Sequence, residues 1–164
     1  MTNLRIGHGF DAHRFAPGRA LILGGADIPY GHGLGGHSDA DVLCHAVIDA
    51  LLGAAGERDI GTLFPDTDLA YKGISSLILL ERVSDRLREK NITLVNCDCT
   101  VLCQAPRLSG HIAAMRANIA AALRCAPENI NVKATTEEGM GYTGRGEGVA
   151  VHAVVLLEIS EGVI

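Results

Sequence analysis

Gly7-His8-Gly9-Phe10-Asp11-Ala12-His13 is the segment from which the rest of the chain can be placed. Leu4–Phe10 alternates well enough for a β-strand, and a strand here delivers Asp11 and His13 to its carboxyl end. In extended backbone, side chains at i and i+2 project from one face. A carboxylate and an imidazole on the same face are two arms of a metal site. Zinc accepts such mixed oxygen and nitrogen ligation, and three protein ligands leave a fourth position open for chemistry. A solvated strand end would show the same two residues, so the metal reading calls for a third ligand further along.

The chain has 164 residues, the size of one ordinary domain, and residues 1–164 are expected to form a single unit. It contains no Trp and only 4% aromatic residues, so Ala, Val, Ile and Leu must supply most of the packing. Its 20 glycines cluster in loops, where backbone can approach a ligand closely. A net charge of −5 argues against a general nucleic-acid binder, yet leaves room for a phosphate ligand held by a few local groups. Neither a targeting peptide nor an apolar run near the ~20 residues of a membrane span is evident, so no membrane association and a cytoplasmic location are expected. Cys44, Cys97, Cys99, Cys103 and Cys125 make an odd count that reads as reduced thiols. Cys97, Cys99 and Cys103 share strand parity and lack the C-x₂-C spacing of zinc knuckles, which favours packed small residues over a metal site.

Further along, Ala20–Leu23 and Asp27–Pro29 read as short strands around the turn Gly24-Gly25. Tyr30–His37 is glycine-rich without a dinucleotide fingerprint, and reads either as a lid or as a substrate loop carrying His37. A helix is expected from Ser38 to about Gly53, with Ser38 and Asp41 as a capping box. Val42, Leu43, Ala46, Val47, Ala50 and Leu51 form its apolar stripe, and Asp41, His45 and Asp49 lie beside it at i, i+4 and i+8. A carboxylate neighbour can orient an imidazole and fix its tautomer, although a solvated helix face would look the same. Residues 56–72 form a long connection in which Asp59, Asp66 and Asp68 serve either sugar-like hydroxyls or local turns. Then follow an amphipathic helix Ile74–Lys90, a strand Ile92–Gln104, a helix Leu108–Cys125, a strand Ile130–Thr136, the loop Glu137–Gly148 and a strand Val149–Ile159. Alternating strands and helices after an opening hairpin predict an α/β or α+β domain, a mixed four- or five-stranded sheet with helices on one face.

Asp11, His13 and His45 are the best metal ligands, with His8, His32, His111 and His152 as alternatives. His37 stands just before a helix start, where backbone N–H groups and the helix dipole favour anions. A second cluster, Lys133-Ala-Thr-Thr-Glu-Glu138, places hydroxyls and carboxylates at a strand end, suited to phosphate oxygens and a magnesium ion or simply to a charged turn. Arg145 reads as a phosphate arm or as the partner of Glu147 in a subunit contact.

Together, Gly7–His13, His37-Ser-Asp-Ala-Asp-Val-Leu-Cys-His45, Asp59-Ile-Gly, Leu63-Phe-Pro-Asp-Thr-Asp68, Gln104-Ala-Pro106, Val132-Lys-Ala-Thr-Thr-Glu-Glu138 and Gly141-Tyr-Thr-Gly-Arg-Gly-Glu-Gly148 run in order along nearly the whole chain. In these stretches the sequence resembles the 2-C-methyl-D-erythritol 2,4-cyclodiphosphate synthases of the non-mevalonate isoprenoid pathway. The resemblance implies a homotrimer with active sites between subunits and a lyase that cyclises a cytidine diphosphate substrate with loss of CMP. It implies zinc on Asp11, His13 and His45, and magnesium or manganese held by Glu138 with the substrate phosphates. His37 and Thr136 would be the catalytic contacts. Substrate would also meet Ser38, Asp59, Ile60, Gly61, Phe64, Pro65, Asp66, Thr67 and Asp68 at its methylerythritol end. The cytidine end would meet Cys103, Gln104, Ala105, Pro106, Arg107, Leu108, Ser109, Thr135 and Thr136, with Glu137 and Glu138 close by. Tyr142 and Arg145 would face a cavity on the trimer axis able to take an isoprenoid diphosphate. The chain departs from the family pattern at Arg107-Leu-Ser, at Tyr142 in place of Phe, and at Thr136-Glu-Glu. Without the resemblance, a metal-dependent phosphohydrolase or a non-catalytic oligomeric zinc protein would use the same ligands.

Overall fold

The computed structural model describes residues 3–160. In chain order the elements are β1 (Asn3–Ala16), β2 (Leu21–Leu23), β3 (Ala26–Ile28), β4 (Gly33–Leu34), α1 (Val42–Ala55), α2 (Ile60–Leu63), α3 (Ser76–Glu89), β5 (Ile92–Leu102), α4 (Ile112–Leu123), β6 (Ile130–Thr135), α5 (Gly141–Gly144) and β7 (Gly148–Ile159). β1 runs well past its expected end at Phe10, because residues from Asn3 to Arg14 all pair antiparallel with β7. Asp11 and His13 therefore lie inside a strand, held by its ladder, rather than beyond one.

Five strands form a mixed sheet in the order β4-β1-β7-β5-β6, and β2 and β3 form a separate hairpin. Only β5 and β6 pair in parallel, and a crossover through α4 joins them, as a parallel pair requires. One face of the sheet is covered by helices. The β7 residues Val149, Val151, Ala153, Val155 and Leu157 point into the core, whereas His152 and Val154 are exposed on the other face. The core is aliphatic, built on Leu43, Ile48, Leu51, Leu52, Leu80, Met115, Ile119 and Ile130, as the lack of Trp requires. Cys97, Cys99 and Cys103 are buried free thiols that take part in this packing.

Helix α1 lies directly on the backbone of β1. A Cβ at Gly9 would come within 1.9 Å of the Ala46 carbonyl oxygen, and one at Gly7 within 2.0 Å of that of Ala50. Those two glycines let the helix axis settle close enough for His45 to reach the strand.

The helix begins later than its sequence suggests. Asp41, not Ser38, is its N-cap: one carboxylate oxygen accepts from the Cys44 and Gly24 N–H groups at 3.1 and 2.9 Å, the other from Gly25 N–H at 2.7 Å. Asp41 is fully buried and ties the β2–β3 turn to α1, so it is no part of a solvent-facing stripe with His45. The C-terminus lies at Gly56, in the left-handed conformation at φ 75°, beyond the expected Gly53. The 56–72 connection is not structureless. Asp59 caps α2 by accepting from Thr62 N–H at 2.8 Å, and Asp68 caps a short 3₁₀ turn over Leu69–Tyr71.

Candidate functional site

The two inward side chains at the end of β1 meet the first turn of α1. Asp11 Oδ2 lies 2.8 Å from His13 Nε2 and 3.1 Å from His45 Nδ1, and the two ring nitrogens are 3.3 Å apart. The opposite nitrogen of each ring is already committed. His13 Nδ1–H donates to the Gly35 carbonyl oxygen at 2.6 Å. His45 Nε2 faces the hydroxyls of Ser76 at 2.9 Å and Ser38 at 3.1 Å. With those nitrogens bearing the protons, the inward nitrogens carry lone pairs. Three acceptors then converge on one point, which is stable only with a cation between them. Ligand bonds of about 2.0–2.1 Å around a tetrahedral ion suit such spacing, and the residue set is one that zinc accepts. Among the described residues, Asp11, His13 and His45 form the only group of three or more His, Cys, Asp or Glu side chains so arranged.

The electrostatics agree. Burial pushes the Asp11 carboxyl up, but hydrogen bonds and charge from His13 and His45 outweigh it and hold the group well below the usual carboxylate range. Burial pulls the His13 imidazole down, and the Asp11 hydrogen bond and charge, with the Gly35 carbonyl, reverse that and raise it. Each shift is the response of converging acceptors to positive charge, which a proton or a metal ion can supply.

The triad opens into a cleft of about 430 Å³ that also gathers His37, Ser38, Ile60, Gly61, Phe64 and Asp66. Arg19 holds one wall by donating to the carbonyl oxygens of Gly36 at 2.8 Å and Ser38 at 2.6 Å. His37 Nε2 donates to the Asp68 carbonyl oxygen at 3.3 Å, which links the glycine-rich loop to the 56–72 connection. The carboxylates of Asp59 and Asp68 are turned toward their own caps, the local use that such residues often have. Pro65 and Thr67 belong to the same loop without lining this cleft.

A second cleft, of about 380 Å³, gathers Cys103, Gln104, Pro106, Arg107, Leu108, Ser109, Thr135 and Thr136. The Cys103 thiol donates to the Ala105 carbonyl at 3.0 Å, and burial pushes it up to about 11, so it is a packing group and not a nucleophile. Glu138, at φ 52°, accepts from Thr136 Oγ1 at 3.1 Å, whereas Glu137 turns back to Thr143. The two neighbouring carboxylates thus part company, and Glu138 is the one beside Thr136. Lys133 is paired with Asp98. Both clefts lie at one end of the sheet, since Asp11 of β1 and Val101 of β5 flank the same β7 residue, Val151.

A larger concavity, about 750 Å³, opens between Phe15, Tyr30, His32, Tyr142 and Glu147 and shares only His13 with the triad. It collects no ligand set, and chemistry rather than size selects the triad cleft. Arg145 pairs with Glu147 at 2.6 Å. His8 and His152 are not drawn to the triad; they meet each other on the outer sheet face, with ring nitrogens 3.1 Å apart. Cys44 is fully buried on α1, and burial raises its thiol well above the ordinary value, so it supplies no fourth ligand.

Two residues to which the sequence assigns no role belong here, Ser76 and Asp39. Ser76 is fully buried and donates its hydroxyl to Asp39 Oδ1 at 2.5 Å. A serine in the first turn of a helix reads as a cap, so nothing in the sequence marks its reach to another segment.

Fold and site together define a class: an α+β domain that presents an Asp-His-His triad able to hold a metal ion at the end of a mixed sheet, beside a second cleft. Comparison with known proteins narrows it. The chain belongs to the YgbB family, which it matches over residues 4–158, and it is similar to curated 2-C-methyl-D-erythritol 2,4-cyclodiphosphate synthases and to a bifunctional IspD/IspF enzyme. The synthase of Pelobacter propionicus is 58% identical over 94% of this chain and 98% of its own length. Among solved structures, the bifunctional IspDF of Campylobacter jejuni superposes with a TM-score of 0.94 at 45% identity, over 98% of this chain and 44% of that one. The chain thus spans less than half of that bifunctional protein. An IspF of Plasmodium falciparum in complex with CDP gives a TM-score of 0.85 at 32% identity, over 97% of this chain and 98% of that one.

Proposed function

We propose that the chain converts 4-diphosphocytidyl-2-C-methyl-D-erythritol 2-phosphate into 2-C-methyl-D-erythritol 2,4-cyclodiphosphate and CMP, as a phosphorus–oxygen lyase of cytoplasmic isoprenoid precursor synthesis. The observation that carries this reading is the convergence of ligand atoms from Asp11, His13 and His45 on one point, in a chain 58% identical to a named synthase. The family match favours cyclisation over a phosphohydrolase, and the absence of a fourth ligand among the described residues favours it over a structural zinc.

In this reaction an oxygen of the 2-phosphate forms a bond to the β-phosphorus. The bond from that phosphorus to the oxygen bridging it to CMP breaks, and CMP leaves with the electron pair. The nucleophile is already anionic, so the task is to bring two anionic phosphates together in the right pose. Asp11, His13 and His45 would hold zinc, and Glu138, which suits an ion taking its other ligands from water and phosphate, would hold magnesium or manganese. When bound, such ions supply positive charge and a template for the diphosphate oxygens. His37 at the triad cleft and Thr136 at the second cleft would orient the reacting phosphates from either side. The Asp59–Asp68 segment would bind the methylerythritol portion. The Cys103–Ser109 turn and Thr135 would receive cytidine largely through backbone groups, in keeping with the CDP bound by the Plasmodium falciparum relative. Holding a flexible substrate in a ring-closing pose is worth roughly 7–11 kcal/mol in favourable intramolecular cases.

A homotrimer fits the bare sheet face, where Ile6, Phe10 and Val154 are exposed at 75%, 46% and 39%. Active sites would then form between neighbouring subunits, and Tyr142 and Arg145 would face an axial cavity open to an isoprenoid diphosphate. Product analysis tests the activity. Incubation with the cytidylated 2-phosphate and magnesium should yield equal amounts of CMP and a cyclic diphosphate, followed by ³¹P NMR and mass spectrometry. Release of inorganic phosphate in place of the cyclic product would overturn the proposal.

A further inference from the structure

We infer that Asp39 and Ser76 are positioning residues that set the tautomer of His45 and so tune the metal affinity of the triad. The inference rests on reading Asp11, His13 and His45 as ligands. Its geometry is a linear relay from a carboxylate through a hydroxyl to an imidazole. Asp39 receives two bonds from Ser76, one from its N–H to Oδ2 at 3.0 Å and one from its hydroxyl to Oδ1 at 2.5 Å. An ionised carboxylate only accepts. The Ser76 proton is therefore spent on Asp39, and the Ser76 oxygen presents a lone pair to His45 Nε2 at 2.9 Å.

That lone pair requires the proton of neutral His45 to sit on Nε2, which leaves Nδ1 bare toward Asp11 and His13. A serine alone would not impose this choice, because a free hydroxyl rotates to donate or to accept. The carboxylate behind it removes the freedom. Ser38 adds a second oxygen at 3.1 Å from His45 Nε2 but has no carboxylate behind it; its oxygen accepts from Ala40 N–H at 3.1 Å. Two backbone bonds keep the relay aligned: Asp39 N–H donates to the Ile74 carbonyl at 3.0 Å, and Gly73 N–H to the His37 carbonyl at 2.9 Å. The segment that carries His37 and Ser38 is thereby clamped to the start of α3. Asp39 Oδ1 also accepts from Asp41 N–H at 3.2 Å, so one carboxylate serves the relay and joins the starts of α1 and α3.

Partners that orient a metal-bound histidine typically contribute about 10–100-fold in metal affinity. The test compares Ser76→Ala, Asp39→Asn and the double variant with the parent chain. Zinc affinity is measured by competition with a chromophoric chelator, and the His45 ring nitrogens are read by long-range ¹H–¹⁵N NMR of the metal-stripped protein at a pH of about 8.5, above the ordinary imidazole range. Each single variant should bind zinc about 10–100-fold more weakly, and the double variant no more weakly than the worse single one, because a relay fails as a unit. The parent His45 should show the Nε2–H tautomer, and Asp39→Asn should lose that preference. Loss of the helix contact alone would lower the melting temperature yet leave tautomer and zinc affinity at low temperature unchanged, and that result overturns the inference. Additive losses in the double variant would also overturn it. If the parent chain binds no divalent ion, the ligand reading fails by itself, and the ring-nitrogen shifts still decide for or against the relay.

Discussion

The two clefts at the end of the sheet are built on opposite principles. In the triad cleft every ligand has a second contact: His13 on a backbone carbonyl, His45 on two hydroxyls, Asp11 on Ala12 N–H at 2.8 Å. In the Cys103–Thr136 cleft the polar groups are a turn and a strand end, and Thr136 and Glu138 are exposed and bonded mainly to each other. The contrast teaches that a constellation suited to an ion is held rigid before anything binds, whereas the cleft proposed for the nucleotide keeps exposed polar groups free to adapt to a ligand.

The largest effect should follow from breaking the rigid half. His45→Ala and Asp11→Ala should each lose the bound ion and with it several kcal/mol of transition-state stabilisation, roughly 10³-fold in kcat/KM at about 1.36 kcal/mol per decade. Metal analysis that still found one ion per subunit in both variants would erase the distinction between the clefts. Next comes Gly9→Ala, whose new methyl would press on the Ala46 carbonyl oxygen. Forcing α1 off β1 should cost on the order of 1–3 kcal/mol in denaturant unfolding and weaken metal binding together. An unchanged unfolding midpoint would mean that the close approach is not what places His45. In the looser half, Glu138→Ala should raise the magnesium or manganese needed for half-maximal rate several-fold while zinc content stays at the parent level, and a parallel loss of zinc would show the two halves to be coupled.

The smallest effect concerns pH. The raised His13 group contributes stability that is complete below its ordinary value of 6.5 and is lost as pH rises through its folded value. The lowered Asp11 group contributes stability that is complete above its ordinary value of 3.8 and is lost as pH falls through its folded value. The metal-stripped chain should therefore melt highest between those ordinary values. Saturation with zinc should flatten the alkaline decline, since the ion replaces the proton. An alkaline decline of equal size in His13→Gln would assign it to other groups.

Much of this was legible in the sequence. Mixed-sheet architecture, the β2–β3 hairpin and the meeting of Asp11, His13 and His45 follow from alternation, turn residues and the run of stretches shared with the synthase family. The helix start at Val42 was not, because Ser38 and Asp41 are both good caps and only the Gly24 and Gly25 N–H groups of the hairpin decide for Asp41. The orienting partner of His45 also eluded the sequence. Neighbours at i±4 on one helix, Asp41 and Asp49, suggested themselves, yet Asp41 faces the hairpin and Asp49 accepts from Ile60 N–H at 2.7 Å. The orienting partners that do reach the ring are Ser76 of α3 and Ser38 of the loop before α1. Sequence spacing displays neighbours along a helix and conceals those that folding brings from elsewhere.

The alternation in β1 has a bearing on how such a protein can vary. Gly7, Gly9, Asp11 and His13 look toward the helices; Ile6, His8, Phe10 and Ala12 look the other way. The metal-ligand candidates and the exposed apolar face are thus written on alternate letters of one word. Either set can be rewritten by substitution without disturbing the other, but a single inserted or deleted residue would exchange their roles at every position downstream.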